Sequence, residues 1–148
     1  MNGSLAEQLR AALNAARKDR DQHRTLLYST ILSDTRNREI EVNHALDDAE
    51  VVDVLRRGIK RRKESVEAFR AGGRAEAADR EQFEIVELEK YLPPGASEDE
   101  IRAAVRAAIA GGAKDVGKLM GTVMPQLKGR AEGKDINRIA REELAATS

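Results

Sequence analysis

Three polar pairs, Ser4 with Glu7, Asp47 with Glu50 and Ser97 with Glu100, each stand just ahead of a run whose apolar residues recur every three or four positions. A short side chain that accepts from the third residue on, with a carboxylate there to reach back, marks a helix N-terminus. No stretch keeps an alternating apolar–polar period, so the chain is expected to be all-α, with no sheet. Composition points the same way, with 3% aromatic and 35% charged residues and glycine and proline confined to a few places. An apolar share of 41% is enough for a packed core.

Leu5, Leu9, Ala12, Leu13 and Ala16 form the apolar face of the first helix, and the polar run 17–21 ends it. A second helix is expected to turn Leu27, Ile31 and Ile40 inward and Arg24, Arg36, Arg38 and Glu41 outward. The third carries Val51, Leu55, Ile59, Val66 and Phe69 and closes at Gly72-Gly73. A fourth runs from about Arg74 to Leu92, with Phe83, Val86, Leu88, Tyr91 and Leu92. Pro93-Pro94-Gly95 then forces a change of direction.

Beyond it, Ile101, Ala104, Val105, Ala108 and Ile109 define a fifth helix that stops at Gly111-Gly112. Asp115 caps a short sixth helix ending near Pro125, and a last helix occupies roughly Asp135 to Ala146. The expected division is a helical bundle over 1–92, a Pro/Gly linker over 93–96 and a three-helix tail over 97–148. A tail of about fifty residues is marginal on its own and is expected to lean on something else.

The charges exclude as much as they suggest. Twenty-six cations balance twenty-six carboxylates, so no global field draws the chain to nucleic acid or membrane, and any electrostatic partner must meet a local patch. The absence of cysteine removes disulfides, thiolate chemistry and cysteine-based zinc sites. Nothing near Met1 resembles a signal sequence and no apolar run approaches membrane-spanning length, so a cytoplasmic protein is expected. His23 and His44 are the only histidines and have no ligand spacing, so they read as polar residues near helix ends, with no metal or other cofactor expected. Neither a nucleophile turn nor a Walker loop is present, and no carboxylate pair stands out from the helix-pairing charges. No catalytic residue is assigned.

Two basic stretches remain. Arg56 to Lys63 holds six cations in eight positions. It reads either as a phosphate-contacting stripe or as a solvated face paired through Lys60–Glu64 and Lys63–Glu67; Gly58 within it would let another helix, or a partner's backbone, come close. The second, Asp115 to Asn137, is DVGKLMGTVMPQLKGRAEGKDIN. From Lys114 to Arg141 seven cations face three carboxylates, an excess of four. Lys128-Gly129-Arg130 and Gly133-Lys134 alternate glycine with cation, so the backbone can approach a ligand while flanking charges meet phosphate, and a helix N-terminus follows. The candidate contacts are Lys118, Lys128, Gly129, Arg130, Gly133, Lys134 and Arg138. The competing reading is that Gly129 and Gly133 only close a turn, with Met120, Met124, Leu127, Ile136 and Ile139 as core. The tail has no aromatic residue for base stacking, so a nucleic-acid partner would be read by shape and backbone.

The segments Asp115–Met120 and Met124–Lys134, together with Lys60–Phe69, Gly72-Gly73-Arg74, Glu89–Pro93 and Asn37–Glu41, resemble the YqeY family. The tail signature is similar to the C-terminal domain of the B subunit of glutamine-dependent tRNA amidotransferase. Glu132 stands where the family usually has Asp, and Leu27-Tyr28 where Arg-Met is typical. The resemblance implies an N-terminal bundle and a three-helix tail of the kind that grips tRNA, without the parts that hydrolyse glutamine or transfer an amide. The expected partner is tRNA or another structured RNA. Alternatives are a component of tRNA-dependent amide transfer (a carbon–nitrogen ligase with glutamine as amido-N-donor) and an adaptor that docks on a larger protein. No catalysis is expected of this chain alone.

Overall fold

A computed structural model describes residues 3–147. Among them are seven α-helices and no strand: α1 (Leu5–Lys18), α2 (Gln22–Val42), α3 (Asp48–Ala71), α4 (Ala75–Glu89), α5 (Glu98–Ala110), α6 (Val116–Gln126) and α7 (Gly133–Thr147). The chain divides into two compact units, the first ending at Leu92 and the second starting at Pro93.

Capping explains most of the helix starts. Ser4 Oγ accepts from the Glu7 amide at 3.2 Å, and the Leu5 amide donates to Asp48 Oδ1 at 2.9 Å, tying α1 to the start of α3. Asp47 and Glu50 make both bonds of the capping box. At α5 Ser97 accepts from the Glu100 amide at 3.1 Å, but the Glu100 carboxylate turns to Arg130 at 2.6 Å. Asp21 caps α2 through the Arg24 amide. Asn43 closes α2 in the left-handed conformation at φ 61°.

In the first unit α3 packs most extensively on α4 and α1 on α2. Its core gathers Leu5, Leu9, Leu27, Tyr28, Ile31, Val51, Leu55, Ile59, Ile85 and Leu88. Gly58 is buried on α3, and a Cβ there would stand 3.1 Å from Arg62 Nη1 and 3.4 Å from Ile31 Cδ1 on α2. Ile40, expected inward, is 71% exposed. It lies nine residues from Ile31, two and a half turns, and so points the opposite way. Phe83 and Val86 are also on the surface, and Ile85 takes the buried place between them.

A polar cluster completes this core. Buried Tyr28 donates to Glu87 Oε2 at 2.6 Å, leaving Tyr91 to donate to the Tyr28 hydroxyl at 2.9 Å. Arg24 and Lys90 also reach Glu87. Burial pushes the Glu87 carboxyl up, but the bonds from Arg24, Lys90 and Tyr28 outweigh it and hold it down to about 2. Burial, reinforced by the bonds to Glu87 and Tyr91, pushes the Tyr28 phenol well above its ordinary value.

The second unit packs α5, α6 and α7 pairwise around Ile101, Val105, Leu119, Val123, Leu127, Ile136, Ile139 and Ala140. The end of α6 falls near Pro125, as expected, and the start of α7 differs from the sequence reading. Pro125 lies inside the last turn of α6, which continues to Gln126. Its missing N–H deprives the carbonyl of exposed Gly121, where water can replace it. At α7 the Glu132 carbonyl accepts from the Asp135 and Ile136 amides, so the helix starts at Gly133, two residues before Asp135.

Candidate nucleic-acid interface

The α6–α7 turn is wound about one carbonyl. Leu127, buried at the end of α6, accepts from the amides of Arg130 at 2.9 Å and Ala131 at 3.1 Å. Gly129 sits between them at φ 78°, in the region a side chain disfavours, so glycine is required by the turn. The turn is also stitched to the segment before α5. The Arg130 carbonyl accepts from the Ala96 amide at 2.7 Å, and its guanidinium donates to Pro94 O at 3.3 Å and Glu100 Oε2 at 2.6 Å. The hydrogen bond from Arg130 holds the Glu100 carboxyl below its usual range.

The candidate residues therefore separate by role. Lys128 and Lys134 project into solvent on either side of the turn; the only ion pair among the described residues that involves them is Lys134 with exposed Glu132 at 3.5 Å. Such an exposed pair holds neither charge firmly. Arg130 is occupied in holding the turn. Gly133 is helical, and the side where its Cβ would stand faces Met124 Cε at 3.4 Å, so it does not open the backbone to a ligand as the sequence suggested. Lys118 is exposed at the start of α6, roughly 12 Å along the helix axis from the turn, and does not join the others.

Arg138 lies one turn further along α7. Lys134, Arg138 and Arg141 follow an i, i+4, i+7 spacing and are all exposed, while Ile136, Ile139, Ala140 and Glu143 are buried on the other face. This cationic stripe is partly neutralised. Arg138 pairs with Glu98 at 2.7 Å and Glu142 at 3.1 Å, which raises its pKa. Arg102 and Arg106, which sequence reasoning passed over, extend the network to buried Glu143 and to Glu142. Their i, i+4 spacing on α5 was the available signal, but the matching carboxylates lie forty residues away.

The basic run on α3 is also divided by its partners. Arg61 reaches Asp34 on α2 at 3.2 Å and Arg62 reaches Glu84 on α4 at 2.9 Å, so these cations bind helices together instead of pairing along α3. His23 contacts Glu84 at 2.9 Å and stacks near Phe83, and His44 lies on the surface close to Glu50. Among the described residues no group of three or more His, Cys, Asp or Glu is placed to hold a metal ion, and no helix is long and apolar enough to cross a membrane.

A family model described as Yqey-like protein matches residues 6–144. The chain belongs to the YqeY family. Among relatives, it is 33% identical over 89 residues to the altered inheritance of mitochondria protein 41, mitochondrial, of Pyrenophora tritici-repentis, an alignment covering 57% of this chain and 49% of the relative. It is 34% identical over 105 residues to the protein of the same name from Lachancea thermotolerans, covering 69% of this chain and 54% of the relative. The chain thus spans about half the length of these relatives. Family membership fits the all-helical architecture and the Leu127–Lys134 turn, where the motif residues Gly129 and Arg130 each have a definite structural task.

Proposed function

We propose that this protein binds structured RNA, with tRNA as the leading partner, through the cations around the α6–α7 turn. The observation that carries the reading is the pairing of a rigid turn with loosely held charge. Gly129, Leu127 and Arg130 fix the backbone, while Lys128 and Lys134 are exposed, Lys134 held only by its surface pair with Glu132, and can turn to phosphates. The α7 N-terminus adds its positive dipole end beside them, and the Lys134–Arg138–Arg141 face continues the surface along the helix. The resemblance to the tRNA-gripping tail of the amidotransferase supports the same reading. Without aromatic side chains, this surface would recognise backbone and shape in place of unpaired bases. The sequence expectation was a cytoplasmic protein; the fungal relatives are named as mitochondrial, and both compartments contain tRNA.

The test is binding of the full chain to unfractionated tRNA, followed by fluorescence anisotropy across a salt series. Lys128→Ala with Lys134→Ala is expected to weaken binding and lower the log–log salt slope by about 2, one phosphate contact for each lysine. Both side chains are exposed, so the fold should survive. Arg130 is left intact because its loss would loosen the turn itself. No binding even at low salt, or an unchanged slope in the double variant, would refute the proposal.

A further inference from the structure

The first unit carries an unassigned cationic groove of roughly 550 Å³ between α1 and α2. Arg10, Asn14 and Arg17 line it from α1 at i, i+4 and i+7, and Ser33 and Arg36 from α2. Arg24, Arg38, Arg61, Arg62 and Arg70, elsewhere in this unit, are each paired with a carboxylate. Among the described residues Arg10, Arg17 and Arg36 have no such partner, nor do Arg20, Arg57, Arg74 and Arg80, but the first three line one groove. The one acid in the lining is Glu39, whose Oε2 already accepts from the Leu46 amide at 3.2 Å. Three cations against one carboxylate leave an excess of two.

From this we infer that the α1–α2 groove is a second contact for the phosphate backbone of structured RNA. Guanidinium groups match phosphate oxygens through paired donors, and the exposed amide of Asn14 and hydroxyl of Ser33 suit sugar oxygens, including the 2′-hydroxyl. A single small anion is the poorer occupant. Arg10 and Arg17 are about 10 Å apart along the helix axis, and the groove is open where a small-molecule site would enclose its ligand. A repeating polyanion engages both ends at once.

An acidic amphipathic helix is also disfavoured. The exposed side chains of the groove are Arg10, Asn14, Arg17, Ser33 and Arg36, while Leu13 and Thr35 are buried and Leu32, Glu39 and Leu46 are half-buried. The large exposed apolar residues Leu26, Ile40, Phe83, Val86 and Met124 all lie outside it. The fully exposed side chains a partner meets in the groove carry guanidinium, amide and hydroxyl groups.

The inference rests on the RNA-binding reading but concerns different residues, so the two can fail separately. The experiment uses the full chain with unfractionated tRNA over about 50 to 200 mM salt. The variant Arg10→Gln, Arg17→Gln, Arg36→Gln retains much of each side chain's aliphatic stem and removes no ion pair, and its thermal melt checks folding. It is expected to lower the salt slope by about 2 to 3 and weaken binding about tenfold or more at the upper salt. A matched loss of charge at Arg20, Arg74 and Arg80, exposed and outside both the groove and the α3 basic run, should change the slope less. Arg→Lys at the three groove positions should restore most of the slope, since it restores charge.

If the unmodified chain binds no tRNA, both readings fall. If the tail lysine variant lowers the slope but the groove variant does not, the groove inference is overturned and the tail reading stands. Equal losses from the groove and the Arg20/Arg74/Arg80 variants would also overturn it, by showing a diffuse charge effect. Should the groove triple unfold, Arg10→Gln with Arg17→Gln gives the same comparison with an expected slope change of about 2.

Discussion

Glu87 shows how a buried charge is held. Its two oxygens are shared by Arg24, Lys90 and the Tyr28 hydroxyl, and Tyr91 completes the chain of donors. A carboxylate so engaged has little freedom to accept a further proton, and the low pKa of about 2 expresses that. Because the folded value is depressed, the stabilisation is present above the ordinary carboxyl pKa of 4.5 and fades as pH falls from there toward 2. Glu87→Gln should cost about 2 kcal/mol near neutral pH, short of a fully buried pair because Arg24 and Lys90 reach solvent. It should also flatten the bundle's loss of thermal stability between about pH 4.5 and 3. Melts followed by circular dichroism at several pH values check both; an unchanged pH profile in the variant would remove Glu87 from the account of acid sensitivity.

At the scale of elements, the α6–α7 turn separates two glycines that look equivalent in sequence. Gly129 occupies a positive φ, whereas Gly133 begins a helix and faces only flexible Met124. Gly129→Ala should destabilise the second unit by about 1 kcal/mol, and Gly133→Ala should be neutral or slightly stabilising. Urea denaturation of each variant compares them, and equal costs would contradict the assigned roles. This contrast also shows where sequence reading stops. Ser4, Asp47, Ser97 and Asp115 declare their helix starts because a cap is local chemistry three residues long. The inward stripes of α1, α3 and α5 follow from spacing. Helix α2 is less legible because Leu26, Leu27, Tyr28, Ile31, Leu32 and Ile40 surround it on several faces. Spacing nevertheless places Ile40 opposite Ile31, so its inward assignment conflicted with information the sequence held. In the tail, the clustered glycines and cations were visible, but Arg130's commitment to Glu100 and Pro94 was not. Those partners are thirty or more residues away, and only the fold brings them near.

At the scale of the whole molecule, the apolar packing divides into two clusters. One draws on residues from Leu5 to Leu92 and the other on residues from Ala96 to Leu144. Each unit must therefore meet its conformational entropy mainly from its own buried surface. The second is smaller, and much of its reinforcement is the exposed network joining Arg102, Arg138, Glu98 and Glu142, which salt screens. This predicts that perturbations stay within their unit. In hydrogen exchange on the full chain, Glu87→Gln should speed exchange in α1–α4 and leave α5–α7 unchanged, while Gly129→Ala should do the reverse. The stability costs of the two substitutions should also add to within about 0.5 kcal/mol in the double variant, since the sites share no partner. Raised exchange in α5–α7 on changing Glu87 would show energetic coupling that separate cores do not supply. Without coupling, the proposed RNA contacts on the bundle and on the tail would contribute to affinity as separate increments, each removable while the other unit remains folded.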